Sequence, residues 1–75
     1  MEMLAVVRVE DLAGRELRRE RIKLSRGVTV QDLLLRLGVA PGSIVWVDGR
    51  RLEPSDPVVP ALEKSGQQEL RVRDP

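Results

Sequence analysis

The sequence predicts a small α+β domain, a mixed sheet of four to five strands with one helix packed on one face. Three observations predict it. Two strand-like runs, Met3–Val9 and Leu17–Leu24, come first. A short capped helical stripe follows at Val30, Leu33, Leu34 and Leu37, and then a β-branched run ends in Asp48-Gly49. Strand, strand, helix, strand, strand in so few residues leaves the helix one place to bury its stripe, against the sheet.

In Met3–Val9, the residues Met3, Ala5, Val7 and Val9 fall on one face and Leu4, Val6 and Arg8 on the other. The uncharged set is expected to face the core. The polar stretch Glu10–Glu16, with Gly14 at its centre, reads as a hairpin connection. Leu17–Leu24 returns, with Ile22 and Leu24 inward and Arg19, Arg21 and Lys23 outward.

Ser25-Arg26-Gly27 breaks the strand. Thr29 then reads as the helix N-cap, with Asp32 completing a capping box, and Gly38 supplies a left-handed end. Two turns are too short to stand by propensity, so packing must hold them. Ser43–Val47 is the third strand. Arg50–Pro60 carries three prolines, which exclude a central strand and predict a rim segment with Leu52 and Val58 or Val59 tucked under. One helical turn is expected within Ala61–Gly66, and Glu69–Arg73 is the last strand, with Leu70 and Val72 inward.

Residues 1–75 read as one domain without repeat or linker. A chain of this size buries only about 60% of its unfolded surface, so aliphatic packing must be dense. Cysteine and histidine are both absent, which removes disulfides, ordinary zinc sites and the commonest nucleophile and base. Thirteen basic and twelve acidic residues nearly cancel. The longest apolar run near the start, Met3–Val7, is too short for a signal-peptide core or a membrane helix. A cytoplasmic, non-catalytic protein with no cofactor, metal or small-molecule substrate is the expectation. Asp48 and Asp56 are the acids nearest to turns, and both read as turn formers.

The element order is that of a β-grasp. The stretch TVQDLLLRLGV followed by IVWVDGRRLEP resembles the ubiquitin-like sulfur carriers of the ThiS/MoaD type. Thr29-Val30, Leu33-Leu34 and Leu37 occupy that family's helix pattern. Val45, Val47, Asp48, Gly49, Leu52 and Pro54 occupy its strand-and-turn pattern. The resemblance implies the β-grasp fold and partner binding through the open sheet face. It also implies, as an alternative, sulfur carriage in thiamine, molybdopterin or tRNA thiolation after C-terminal processing. Carriers of this family end in Gly-Gly, a tail without Cβ atoms that threads into an activating enzyme. This chain ends Arg71-Val72-Arg73-Asp74-Pro75, so carrier chemistry is not expected unless the terminus is trimmed.

If Val45 and Val47 face the helix, then Ile44 and Trp46 join Leu4 and Val6 on the open face, ringed by Arg8, Arg21, Arg71 and Arg73. An apolar centre with a tryptophan and an arginine rim has the composition of an interaction surface. These eight residues are the candidate site, for a protein partner or a second copy. The opposite register, with Trp46 in the core, stands as the alternative. A third reading follows from resemblance to TGS domains, β-grasp modules of RNA-handling proteins. In it the arginines track a backbone and Trp46 stacks a base.

Overall fold

The computed structural model describes residues 2–74, an α+β domain with a mixed five-stranded sheet and two helices. The architecture is compatible with a β-grasp. The strands are β1 (Glu2–Glu10), β2 (Glu16–Ser25), β3 (Ile44–Val47), β4 (Arg50–Leu52) and β5 (Glu69–Arg73). The helices are α1 (Val30–Leu37) and α2 (Val58–Ser65). The sheet order is β2-β1-β5-β3-β4, so the first and last strands lie side by side at its centre, in parallel, and all other pairs are antiparallel. Pro75, on which the expectation about the terminus rests, lies outside the described residues.

The period-two pattern of the strands decides the core. Ala5, Val7, Val9, Ile22, Leu24, Val45, Val47, Leu70 and Val72 are all buried on one face. Both helices cover that face, α1 through Val30, Leu33, Leu34 and Leu37, and α2 through Val58, Val59 and Leu62. Helix α1 starts as its sequence demands. Thr29 Oγ1 accepts from the Asp32 amide, and Asp32 Oδ2 accepts from the Thr29 amide. Its two earliest amides are bound from elsewhere, Val30 N–H to the Asp56 carbonyl and Gln31 N–H to the Pro54 carbonyl, each at 3.0 Å. No amide of the first turn is left orphaned. Gly38 (φ 72) closes the helix in the left-handed region.

Three expectations need correction. The sheet is covered by two helices, not one, and the second spans Val58–Ser65 where a rim segment and a single turn were expected. Its prolines are compatible with a helix start. Pro57 is the extended N-cap residue (φ −72, ψ 134), and Pro60 sits in the first turn, where an amide has no intrahelical acceptor. Arg50–Leu52 pairs as a short strand, but only at the sheet edge, which is where the prolines beyond it allow one. Glu10, expected in the hairpin connection, is the last residue of β1 and is buried. The loop is shorter because Asp11 organises it alone, its Oδ1 accepting from the amides of Ala13 and Arg15 at 2.9 Å each.

The β3–β4 hairpin turns on two residues, Asp48 (φ 51) and Gly49 (φ 76). Positive φ at both is the type I′ geometry that matches strand twist, and Asp-Gly is a sequence suited to it. Asp56 likewise works as a turn former, its Oδ2 accepting the Glu53 amide at 2.7 Å. Among the described residues no helix is long and apolar enough to cross a membrane.

Candidate interaction surface

With both helices on one side, the other side of the sheet carries no secondary structure among the described residues. Strand alternation places there every second residue of each strand. Because Val45 and Val47 are buried under the helices, Ile44 and Trp46 lie on the open side. All eight sequence-predicted site residues share this face, and the strand registers decide which of them are neighbours.

Leu4 pairs with Lys23, and Val6 pairs with Arg21 on one side and Glu69 on the other. Leu4 is 49% exposed, so an aliphatic end of the face is open to solvent. The next register crosses the whole sheet. Arg19 pairs with Arg8, Arg8 with Arg71, Arg71 with Trp46, and Trp46 with Arg51. Four arginines and the only aromatic residue thus form one row perpendicular to the strands. At about 4.8 Å per strand the row spans about 19 Å. Ile44 and Arg73 lie beside it.

Like charges on adjacent strands repel, and Glu10 answers that repulsion. Its carboxylate is only 2% exposed. Arg71 donates to Glu10 Oε1 from both Nε (3.1 Å) and Nη2 (3.0 Å). Arg8 Nε lies 2.9 Å from Oε2, and Arg73 Nη2 lies 3.6 Å from Oε1. Glu16 serves the β2 end of the row, accepting from Arg19 Nη2 at 2.8 Å and lying 3.6 Å from Arg8. The hydrogen bonds that Arg19 donates to Glu16, the negative charge of Glu16 and that of Glu69 raise the pKa of the Arg19 guanidinium above its ordinary value.

The ion pairs do not consume the face's positive charge. Arg21, Lys23 and Arg51 make no ion pair among the described residues. Counting strand residues of this side, seven cations stand against four carboxylates, Glu2, Glu10, Glu16 and Glu69. The face is therefore net positive by three although the chain is net positive by one. Three N–H donors of this face, Arg8 Nε, Trp46 Nε1 and Arg73 Nε, are covered and make no hydrogen bond among the described residues, Arg8 Nε facing the Glu10 carboxylate as an ion pair only. Beside Trp46 a shallow cleft of about 340 Å³ is lined by Asp48, Gly49, Gln67, Glu69 and Arg71.

A second groove, of about 440 Å³, runs between β4 and α2 under Leu52, Pro57, Pro60 and Ala61. It contains none of the sequence-predicted residues. Sequence reasoning missed Glu10 and Arg51 as members of the face. Glu10 had a local signal, since extending the β1 alternation by one step puts it beside Arg8, but its polarity read as loop. Arg51 had one too, since a two-residue Asp48-Gly49 hairpin pairs Trp46 with Arg51, but the prolines that follow made Arg50–Pro60 read as a rim segment. No known family profile and no curated protein matches the chain.

Proposed function

We propose that the chain is a β-grasp domain, ubiquitin-like and related to the ThiS/MoaD carriers, that works without catalysis by binding a protein partner through its open sheet face. The observation that carries this reading is the position of Trp46. The only aromatic side chain of a 75-residue protein with a small core lies outside that core, half-buried between Arg71 and Arg51 on the unroofed side of the sheet. Trp and Arg are the side chains that most often dominate binding energy at protein interfaces, and Leu4, Val6 and Ile44 add apolar surface around them.

The test is capture of the native complex by the tagged wild-type protein and by Trp46→Ala and Leu4→Glu, with thermal unfolding of each followed by circular dichroism. Leu4 is on the surface, so Leu4→Glu is expected to leave the melting temperature within a few degrees and to abolish a stoichiometric protein complex or a self-association. If complex formation survives both substitutions, or is lost only with the fold, the open face is not the docking surface.

A further inference from the structure

Resting on the reading of the open face as a docking surface, we infer that its partner is acidic: a carboxylate-rich, extended protein segment that lies across the strands along Arg19, Arg8, Arg71, Trp46 and Arg51. Charge complementarity carries this inference. The face is net positive by three, the rest of the chain is net negative by two, and Arg21, Lys23 and Arg51 of the face make no ion pair among the described residues. A partner rich in carboxylates answers that surplus.

The geometry suits carboxylates in particular. A guanidinium presents a planar fork that a carboxylate fills with two hydrogen bonds, and the guanidiniums of Arg21 and Arg51 make no ion pair among the described residues. Glu10, buried beneath the arginine side chains on the same face, holds Arg8, Arg71 and Arg73, so those side chains are organised before the partner arrives. Less side-chain freedom is then lost on binding. A row of about 19 Å is matched by about six extended residues at 3.3 Å each.

The same row could meet a phosphate backbone, but the surrounding residues favour protein. Leu4, Val6 and Ile44 offer apolar contact beside the arginines, and there is one stacking platform, not a series.

The experiment uses the whole chain, with Trp46 as a built-in reporter because no other residue emits in its range. Three probes are titrated at low salt: a ten-residue peptide of Asp and Glu with two Leu, the same peptide with Ser and Gln replacing the acids, and decauridylate. Expected are a saturable change in Trp46 emission with the acidic peptide alone and at least tenfold weakening on raising salt from 0.05 to 0.5 M, where screening shortens to a few ångströms. Arg51→Gln and Arg21→Gln, which break no ion pair of the fold, are each expected to weaken binding roughly fivefold, the ordinary worth of one partly exposed pair. Arg15→Gln, in the β1–β2 loop, is expected to change nothing.

Equal binding of the neutral peptide, indifferent to salt and to Arg51→Gln, would overturn the acidic partner while leaving the docking face intact. Tighter binding of decauridylate would overturn it in favour of RNA. Binding of no probe would overturn it as well, and the capture experiment with Leu4→Glu would then decide the docking face separately.

Discussion

Replacing Glu10 by Gln keeps the shape of the side chain and removes the one charge that holds three guanidiniums together. Its magnitude follows from the geometry. Removing one partner of a fully buried ion pair costs about 3–5 kcal/mol, because the other charge is stranded without solvent. Here the carboxylate is 2% exposed but Arg8, Arg71 and Arg73 remain 33%, 45% and 31% exposed, so water takes over part of its role. The Gln carbonyl also retains one acceptor for Arg71. Discounting for that solvent access leaves a cost of about 2 kcal/mol. For a domain of this size that is a fall in Tm of about 8–16 °C. Urea unfolding followed by Trp46 fluorescence and by circular dichroism measures it, with the slope expected to be unchanged. Adding 0.5 M salt is expected to recover part of the loss by screening the three cations from one another. A cycle with Arg71→Gln is expected to show a coupling of about 1 kcal/mol between the two sites. A variant as stable as the wild type, or no coupling with Arg71, would refute the view that Glu10 holds the arginine cluster.

Two further substitutions test the parts of the fold that position this face. Leu62→Ala in α2 removes a side chain with no solvent exposure and is expected to cost about 2–5 kcal/mol, enough to leave much of the protein unfolded at 37 °C, whereas Leu35→Ala on the outer side of α1, at 72% exposure, is expected to change stability by less than about 0.5 kcal/mol. Equal effects in urea titrations would mean that α2 does not contribute to the core. Gly49→Val tests the β3–β4 turn, which places Arg51 beside Trp46. No atom lies within 4 Å of the new Cβ, so the expected cost of about 1–2 kcal/mol is backbone strain alone at φ +76. An unchanged urea midpoint would show that the turn does not need the left-handed conformation.

How much of this was legible in the sequence depended on how far apart the determining residues lie. Helix α1 was legible because its cap at Thr29 and Asp32, its apolar stripe and its terminating Gly38 fall within ten positions and each acts locally. The inward faces of the strands were legible for the same reason, since alternation alone sorts Ala5, Val7 and Val9 from Leu4, Val6 and Arg8. Helix α2 was not, because its start is concealed by Pro57 and Pro60. A proline breaks a helix only when the missing amide is needed, and packing of Val58, Val59 and Leu62 on the sheet puts both prolines where it is not. Glu10 was misread because its polarity resembles a loop until Arg71, 61 positions away, arrives beside it through the parallel pairing of β1 with β5.

The sequence by itself determined most of the elements: the strands β1, β2, β3 and β5, where α1 begins and ends, and which side chains of those strands must be buried. Those choices are set by backbone sterics, capping and the period of apolar residues, all of which act over a few positions. The tertiary structure alone decided the surface. Whether Arg8, Arg71, Trp46 and Arg51 form one row or scatter over the sheet depends on the register between strands distant in the chain. Register is fixed by the core they share on the opposite face, because a slip of one residue would turn every buried valine to solvent.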